Sequence, residues 1–265
     1  VVGRDVSRSL SPVLHGAAFS EMGLPYLLLP ISVPEEHELK GLFTHRGATL
    51  FDRVGLPAHG WAVTTPYKAI AAAAADIVAP RVRTAMAANT LTLRETTIAA
   101  DNTDADGVVA SLVSLGIDAR GRTALVQGTG GAARGAAVGL HLAGADVFLR
   151  GRDGERTREV AGLLEMKAIE PGTAPESAAI LVNATTLGLQ ANDGSPFSDC
   201  EIEVAAAVVD MVYGDHETAL VKNAVANGIP VVDGRTVLAH QAFAQFAAFT
   251  TKIPPKEAML AAIGR

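Results

Sequence analysis

Residues 123–152, TALVQGTGGAARGAAVGLHLAGADVFLRGR, join an apolar run to a glycine turn and then to an arginine cluster. The apolar residues 123–126 predict a short buried strand, and residues 132–142 predict a helix that ends before Gly144. Residues 145–149 predict a second strand. A dinucleotide-binding fingerprint requires this order of strand, glycine turn, helix and strand.

The glycine turn contains the residue types that a pyrophosphate site needs. Gly128 permits the tight turn, Gly130 lets the backbone approach a phosphate, and Ala133 keeps the helix close to its strand. Free N–H groups and the positive end of the dipole at the helix N-terminus would attract the phosphates. The alternative interpretation is a glycine-rich turn of an α/β core that binds no ligand.

The end of the second strand bears on the choice of dinucleotide. NAD sites usually place an acidic residue there, whereas NADP sites place arginine near the 2′-phosphate. Arg150, Arg152 and Arg156 cluster at this point and favour NADP, with NAD as the alternative. Asp153 would repel a phosphate, so we expect it to cap a helix that begins near Gly154.

Length, charge and hydropathy exclude several classes of protein. The 265 residues allow one or two domains with a substantial core. A formal net charge of −6 argues against nucleic acid as a partner. No uninterrupted apolar stretch reaches the roughly 18 residues that a membrane helix needs, so no membrane partner is expected.

Cysteine and histidine usage argues against disulfides and metal sites. The single cysteine, Cys200, excludes an internal disulfide and a multi-cysteine metal site, which fits a reducing cytoplasm. The seven histidines are scattered and form no HExxH pair, so no metal is expected. The opening residues Val1-Val2-Gly3 contain no basic leader and predict no targeting segment.

Strands and helices alternate along the chain, and this alternation predicts an α/β fold with parallel sheets. We expect an N-terminal α/β substrate domain, residues 1–104 with 236–265, and a Rossmann-type NADP-binding domain, residues 105–235. The C-terminal helices return to the first domain because the Rossmann half is complete before them. The first domain is predicted to contain a strand over 25–31, a helix over 34–46 and a hairpin of 88–93 with 96–101.

Two serines precede the first predicted helix. Ser11 with Pro12 predicts an N-cap followed by proline at the first helical position. Ser9 has no such structural explanation, and its hydroxyl together with the helix N–H groups would suit a substrate carboxylate. Carboxylate binding and a purely structural role for Ser9 are equally favoured by this segment.

A lysine stands at the start of another predicted helix. Thr65 is expected to cap this helix, Pro66 to begin it, and Lys68 to lie in its first turn. Because a helix N-terminus disfavours positive charge, a lysine there is electrostatically misplaced and is a candidate for proton transfer. The alternative is a surface lysine that points into water.

Four polar residues, 101–104, end a predicted strand. An enzyme that reduces a ketone by hydride transfer needs a group that protonates the developing alkoxide. Lys68 paired with Asp104 would supply a charged donor that its partner holds in place. The alternative is a loop that ends in a capping aspartate.

Eight motifs occur in the order of the shikimate dehydrogenase family, and the chain resembles that family from Gly3 to about Thr251. The motifs are Ser9-x-Ser11-Pro12-x-x-His15, Val63-Thr64-x-Pro66-x-Lys68, Ala88-Asn89-Thr90-Leu91, Asn102-Thr103-Asp104-x-x-Gly107, Gly128-x-Gly130-Gly131-Ala132, Asn183-Ala184-Thr185, Asp210-x-x-Tyr213 and Gly234-x-x-x-Leu238-x-x-Gln241.

The resemblance implies an NADP-linked oxidoreductase of the shikimate pathway of aromatic amino acid biosynthesis, a monomer or a homodimer. It implies that 3-dehydroshikimate and shikimate are interconverted by hydride transfer, with Lys68 and Asp104 as the acid/base pair. The substrate, a hydroxylated cyclohexene carboxylate, would bind to Ser9, Ser11, Thr64, Asn89, Tyr213 and Gln241. The cofactor would bind to Gly128, Gly130, Gly131, Ala132, Arg152, Arg156, Thr185 and Gly234.

The chain departs from the family pattern at a few positions, and these define the alternatives. Ala62 stands where the family usually has asparagine, and Gly151 and Asp153 replace the usual neighbours of Arg152. Ala62 and Asp153 would favour a quinate or aminoshikimate dehydrogenase. A methylenetetrahydrofolate dehydrogenase is a further alternative, although the paired serines argue against a pterin. The last alternative is a paralogue that binds NADP without catalysis.

Overall fold

The structure is a computed structural model that describes residues 1–39, 42–43, 58–95, 97–175 and 178–265. Over these residues no helix is long and apolar enough to cross a membrane. Histidine, cysteine, aspartate and glutamate side chains of the same residues form no group that could hold a metal ion.

The described residues form twelve strands and ten α-helices. The strands are β1 (Val2–Gly3), β2 (Ile31–Ser32), β3 (Gly60–Ala62), β4 (Ile77–Val78), β5 (Thr90–Arg94), β6 (Thr97–Asp101), β7 (Thr123–Gln127), β8 (Asp146–Arg150), β9 (Lys167–Ile169), β10 (Ala178–Asn183), β11 (Ala207–Asp210) and β12 (Val231–Val232). The helices are α1 (Ser11–Glu21), α2 (Lys68–Ala73), α3 (Pro80–Ala85), α4 (Asp104–Ser114), α5 (Gly131–Leu142), α6 (Gly154–Leu163), α7 (Asp199–Glu203), α8 (Ala219–Ala226), α9 (Gly234–Thr250) and α10 (Lys256–Ala262).

The chain divides into two compact units. The first unit consists of residues 1–103 and 242–265, and the second consists of residues 104–241. The sequence prediction puts the divisions one residue later, after 104, and six residues earlier, after 235. The second division lies inside the continuous helix α9, and a helix interior contains no turn signal from which a boundary could be predicted.

Four strands of the first unit form a mixed sheet in the order β3-β5-β6-β4. Strands β5 and β6 are the predicted antiparallel hairpin, with Arg94 opposite Thr97, and the intervening Thr96 lies outside the described residues. Strand β3 is antiparallel to β5, whereas β4 is parallel to β6. Strands β1 and β2 form a separate parallel pair, and Val2 bridges to Val63 just beyond β3.

Two predicted elements of the first unit are wrong in extent. Of the strand expected over 25–31 only Ile31 is paired, because β1 offers it a partner just two residues long. The described start of the helix expected over 34–46 is a 3₁₀ turn, Glu36–Leu39. Most of the remainder of that predicted helix lies outside the described residues.

The second unit contains a six-stranded sheet in which every pair of neighbouring strands is parallel. The strand order is β12-β11-β10-β7-β8-β9, which is the doubly wound order of the Rossmann fold. The predicted α/β fold with a Rossmann-type half is therefore confirmed. In such sheets ligands bind beyond the carboxyl ends of the strands.

The central strands of this sheet are apolar because helices cover both faces of a parallel sheet. Leu125 of β7, Leu181 of β10 and Val208 of β11 are fully buried. Small residues let the helices approach closely. A Cβ on Gly139 of α5 would lie 2.7 Å from the Cα of Ala105 in α4, so these two helices are in backbone contact there.

Candidate active site

Ser9 and Ser11 lie at the start of α1 in the first unit. The helix begins at Ser11 itself, and no side chain caps it at Leu10, so the prediction that Ser11 is the N-cap is wrong. Ser9 Oγ instead accepts a hydrogen bond from the Ser11 backbone N–H at 3.3 Å, because a serine two residues ahead reaches that amide. Ser9 thus has a structural contact, and Ser11 is buried beside Pro12.

Lys68 is the first residue of α2 and is only 7% exposed. The Thr65–Pro66 peptide bond is cis, and residues 65–67 form a turn ahead of the helix. The predictions that Thr65 caps the helix and that Pro66 begins it are therefore wrong. The alternative of a surface lysine in water is also wrong. Because a lysine is rarely buried without a charge or hydrogen-bond requirement, its burial marks it as a candidate functional group.

Backbone hydrogen bonds hold the segment of Lys68 against the start of β5. The Val63 N–H donates to the Asn89 carbonyl at 2.7 Å, and the Ala88 N–H donates to the Lys68 carbonyl at 2.8 Å. Thr64 follows Val63 in the same segment. Three predicted site residues, Thr64, Lys68 and Asn89, therefore come from two adjacent segments of the first unit.

The Asn89 carboxamide is held in one orientation. Its Oδ1 accepts hydrogen bonds from the Thr90 hydroxyl and from the Thr103 backbone N–H, both at 2.8 Å. Its Nδ2 donates to Thr103 Oγ1 at 3.0 Å. A flipped amide would set its N–H groups against the Thr103 N–H, so the network permits one orientation only. Asn89 is buried, and a buried hydrogen-bond network of this kind holds its side chain rigidly.

The polar residues at the end of β6 and directly after it have separate roles. Arg81 donates two hydrogen bonds to the Asp101 carboxylate, at 2.5 and 2.8 Å, which fixes this carboxylate to α3. Asn102 Nδ2 donates to the Ala87 carbonyl at 2.8 Å. Asp104 is the first residue of α4, in the second unit, and is 1% exposed. As a buried carboxylate Asp104 is the candidate acid/base partner that the sequence predicts.

The glycine turn of the second unit has the backbone geometry of a phosphate site. Gly128 has a φ of +127°, and a Cβ there would lie 2.9 Å from the Ala184 carbonyl oxygen, so glycine is required. Helix α5 begins at Gly131, one residue before the predicted start, and Gly130 precedes it without a side-chain cap. The first amide groups of α5 are therefore available to an anion.

The predicted arginine cluster is wrong for Arg150. Its buried guanidinium donates to Gln127 Oε1, to Glu201 Oε1 and to the Thr173 carbonyl, each at 2.6 Å. These bonds join the strand ends of the sheet to α7, because the side chain at the end of β8 is long enough to reach acceptors on other elements. The role of Asp153 is confirmed: it caps α6 by accepting from the backbone N–H of the residue at position 156, at 3.0 Å.

Arg152 and Arg156 lie beside the glycine turn. A Cβ on Gly151 would lie 3.1 Å from Thr129 Cγ2 and 2.6 Å from Thr157 Oγ1, so the turn and the start of α6 are in close contact at Gly151. Both arginines are exposed there, and Arg156 makes a surface ion pair within its own helix. An anion bound at the turn would thus have arginine next to it.

Arg134 belongs with this group, although the sequence reasoning missed it. It lies in the first turn of α5, where its N–H donates to the Gly130 carbonyl at 3.0 Å. Its Nε is buried without a hydrogen-bond partner among the described residues. Burial and the charge of Arg156 lower the pKa of Arg134. A buried guanidinium nitrogen near a second cation is typical of an anion site. The signal was available, since an arginine stands three residues after the last glycine of the turn in GTGGAAR.

A hydrogen-bonded cluster lies at the carboxyl ends of β10 and β11. Asn183 Oδ1 accepts from the Thr185 hydroxyl at 2.7 Å and from the Thr185 N–H at 3.1 Å. Asn183 Nδ2 donates to Asp210 Oδ1 at 2.9 Å, and the Thr218 hydroxyl donates to Asp210 Oδ2 at 2.6 Å. Burial raises the pKa of Asp210. Thr185, a predicted cofactor residue, is therefore held by a buried network.

Close backbone approach also explains two motif glycines. A Cβ on Gly234, the first residue of α9, would overlap the Val212 carbonyl oxygen next to Tyr213. A Cβ on Gly107 of α4 would lie 3.0 Å from Gln241 Cβ. These glycines bring the start of α9 against the end of β11 and place Gln241 on α4.

Comparison with known proteins identifies one family over nearly the whole chain. Residues 1–91 match the family described as the Shikimate dehydrogenase substrate binding domain. The shikimate dehydrogenase (NADP(+)) of Citrifermentans bemidjiense is 33% identical over 98% of this chain and 91% of the relative. That of Rubrobacter xylanophilus is 34% identical over 99% of this chain and 94% of the relative. The chain belongs to the shikimate dehydrogenase family.

Solved members of the shikimate dehydrogenase family share the fold. Shikimate 5-dehydrogenase from Thermus thermophilus, in complex with NADP(H) and shikimate, is 32% identical with a TM-score of 0.84, over 98% of this chain and 96% of that one. Shikimate dehydrogenase from Aquifex aeolicus is 28% identical with a TM-score of 0.87, over 100% of this chain and 96% of that one. The predicted family resemblance is confirmed.

The predicted site residues of this family member fall into two groups. The first unit holds Ser9, Ser11, Thr64, Lys68 and Asn89. The second unit holds Asp104, Tyr213 and Gln241 together with Gly128, Gly130, Gly131, Ala132, Arg152, Arg156, Thr185 and Gly234. The sequence reasoning also missed Gln245, whose contacts with Asn89 arise only from folding.

Proposed function

We propose that the protein is an NADP-dependent shikimate dehydrogenase that interconverts 3-dehydroshikimate and shikimate. The observation that carries the proposal is the burial of three polar side chains at the family's motif positions: Lys68, Asn89 and Asp104. A fold that had lost the reaction would have no reason to keep a lysine and a carboxylate out of water, because burial of charged groups lowers stability. Relatives along nearly the whole chain bear this activity in their names.

Substrate recognition is proposed for the residues of the family motifs. Ser9 and Ser11 at the start of α1 would hold the ring carboxylate, together with Thr64. Asn89 and Gln241 would bond ring hydroxyls, with Tyr213 close to the ring. The hydroxyls at the N-terminus of α1 suit an anion because they lie at the positive end of the helix dipole.

Lys68 and Asp104 are proposed as the acid/base pair. NADPH, when bound, supplies the hydride that reduces the ketone carbon. In that direction the Lys68 ammonium donates a proton to the carbonyl oxygen, and in the reverse direction the Lys68 amine accepts the hydroxyl proton. The Asp104 carboxylate would orient the ammonium and stabilise its charge. General acid/base groups of this kind typically contribute roughly 10²–10⁴-fold to the rate.

The residues of the glycine turn fit NADP. Gly128, Gly130, Gly131 and Ala132 would bind the pyrophosphate, because α5 begins there without a side-chain cap. Arg152 and Arg156 would bind the 2′-phosphate, and we add Arg134 because its Nε is buried without a partner in the described part of the chain. Thr185 and Gly234 would border the nicotinamide. NAD lacks the 2′-phosphate and is the weaker alternative.

A related ring acid is the second candidate substrate. Ala62 is buried in an apolar cluster with Val6, against Phe249, so this position offers a substrate no hydrogen bond. Quinate or an aminoshikimate would then be the substrate of a specialised paralogue. The exposed Cys200 thiol suits a reducing compartment, and we propose the cytoplasm as the location.

Initial rates with three acids and two cofactors test the proposal. Shikimate, quinate and an aminoshikimate are each offered with NADP and with NAD, and nicotinamide absorbance is followed. We expect the highest kcat/KM with shikimate and NADP. A preference for quinate or aminoshikimate supports the specialised paralogue. Binding of NADP without turnover of any of the three acids contradicts the proposed function.

A further inference from the structure

Gln245 makes three buried hydrogen bonds in the first unit. Its Nε2 donates to the Asn89 carbonyl at 3.1 Å and to Thr90 Oγ1 at 3.0 Å. Its Oε1 lies 3.2 Å from Nε2 of His15. The side chain of Gln245 on α9 therefore connects α1 to the start of β5, where Asn89 lies.

The Thr90 hydroxyl links the Gln245 side chain to the Asn89 side chain by two hydrogen bonds. A hydroxyl has one hydrogen and two lone pairs. Because Gln245 Nε2 donates to Thr90 Oγ1, the hydroxyl hydrogen is directed to Asn89 Oδ1, at 2.8 Å. Gln245 thereby contributes to the carboxamide orientation in which Asn89 Oδ1 accepts from Thr90 and from the Thr103 N–H and Nδ2 is the donor.

His15 determines the orientation of the Gln245 carboxamide. The imidazole is fully buried, and burial lowers its pKa to about 4, so the ring is neutral and has a single N–H. Nδ1 has no partner among the described residues, which assigns the N–H to Nε2 and makes Gln245 Oε1 its acceptor. The rings of Phe19 and Phe249, with centroids 5.9 and 5.7 Å away, fix the position of the imidazole.

We propose that Gln245 is a positioning residue for substrate recognition, which acts through Thr90 to present the Asn89 carboxamide as a hydrogen-bond donor to a ring hydroxyl oxygen. This inference rests on the proposed function, in which Asn89 binds the substrate ring. It also predicts which ring substituent is preferred. The Asn89 Nδ2 donor favours a hydroxyl, which accepts a hydrogen bond, over a protonated amino group, which does not.

Two variants of Gln245 test the inference. Gln245→Met keeps the length of the side chain and removes all three hydrogen bonds. Gln245→Glu keeps an acceptor for His15 but removes the donors to Asn89 and Thr90. Since each lost hydrogen bond to a positioned polar group costs a few-fold to tenfold in affinity, we expect both variants to raise KM for shikimate about tenfold. We expect kcat within about threefold of wild type, and an unchanged Kd for NADP measured by calorimetry.

A double-mutant cycle separates positioning from general stability. If Gln245 acts through Asn89, Gln245→Met raises KM no further in an Asn89→Ala background. If the increases in KM caused by Gln245→Met and Asn89→Ala multiply in the double variant, the inference is overturned. An unchanged KM in folded Gln245→Met would overturn it as well. A parallel loss of kcat and of NADP affinity would show a merely structural role and would also overturn it.

The matched pair Thr90→Ser and Thr90→Val keeps the test decisive if the Gln245 variants fold poorly. Serine preserves the hydroxyl and should keep the wild-type KM, whereas valine removes it and should raise KM about tenfold. Equal KM values for the pair contradict the inference. Failure of the proposed function is distinguishable, because the wild-type protein would then show no turnover of shikimate at all.

Discussion

Asn183 Nδ2 and Asp210 Oδ1 are hydrogen-bonded at 2.9 Å between the last residues of two neighbouring parallel strands, β10 and β11. The bond lies at the carboxyl edge of the sheet, where ligands of doubly wound folds bind. It is buried, and Asn183 also holds the side chain of Thr185. The strand register thus pairs Asp210 with Asn183, the residue that also holds the proposed cofactor residue Thr185.

Replacement of Asn183 by alanine should destabilise the second unit. The change leaves the buried Asp210 carboxylate with one donor fewer, so we expect the free energy of unfolding to fall by about 2 kcal/mol. Urea unfolding measures the loss. The control is Asn223→Ala, which removes an exposed hydrogen bond to Asp199 and should change stability by less than about 0.5 kcal/mol. Equal effects of the two variants would contradict the assignment.

Replacement of Lys68 by methionine should abolish most of the activity. The variant removes the proposed proton donor while keeping the length of the side chain, so kcat should fall by roughly 10²–10⁴-fold. NADP affinity should not change. Lys222→Met on the surface of α8 is the matched control and should keep full activity. Substantial turnover by a folded Lys68→Met protein would remove this lysine from the chemistry.

Two glycines of the phosphate turn should respond differently to alanine. At Gly128 the left-handed backbone and the Ala184 carbonyl both oppose a Cβ, so Gly128→Ala should lower the free energy of unfolding by about 1–3 kcal/mol. At Gly130 a Cβ meets no atom within 4 Å, so Gly130→Ala should fold normally. Its Cβ would nevertheless hinder the pyrophosphate and weaken NADP binding. Thermal melting and calorimetry check both, and wild-type NADP affinity in Gly130→Ala would contradict the proposed turn.

The contribution of Arg134 should appear in the choice between NADP and NAD. Arg134→Leu should raise Kd for NADP by about tenfold or more and leave Kd for NAD unchanged, because only NADP has the 2′-phosphate. Arg158→Leu, which removes an exposed arginine paired with Glu170, serves as the control. Calorimetric titration with each dinucleotide gives both constants. An equal loss for NADP and NAD would show that Arg134 does not contact the 2′-phosphate.

His15 should make stability depend on acid pH. Burial lowers the pKa of His15 from 6.5 to about 4, so between these values the unfolded chain binds a proton that the folded protein does not. The free energy of unfolding is therefore unaffected by His15 protonation above pH 6.5. It falls by up to about 3 kcal/mol as the pH is lowered towards 4. Urea unfolding at several pH values should show a flatter profile for His15→Asn, which keeps an N–H donor for Gln245. The exposed His37→Asn should keep the wild-type profile, and parallel profiles for all three proteins would contradict the assignment.

Local rules account for the parts of the site that were predicted correctly. The glycine turn, α5 and the cap at Asp153 depend on residues within a few positions of one another, so propensity and steric limits suffice to predict them. The start of α2 was predicted wrongly: residues 65–67 form a turn, and the Thr65 carbonyl accepts from the distant Arg4 N–H at 3.2 Å.

Contacts between distant segments account for the errors. Arg150 stands among arginines in the sequence, yet its guanidinium donates to acceptors of residues 127, 173 and 201. Gln245 is 156 residues from Asn89 and has no motif around it. Neither contact follows from local periodicity, because it depends on which elements the fold brings together.

The order of residues was sufficient to predict the family, the Rossmann half with its glycine turn, and the types of residue available for catalysis. Hydrophobic periodicity and turn chemistry act over short distances, and a motif retains its order however the chain folds. Three-dimensional contacts were needed to establish that Lys68 and Asn89 are buried and that the Arg150 guanidinium bonds other elements of the protein. They were also needed to establish the orientation of the Asn89 amide. Burial and hydrogen-bond orientation are properties of neighbours in space, and these neighbours come from strands and helices far apart in the chain.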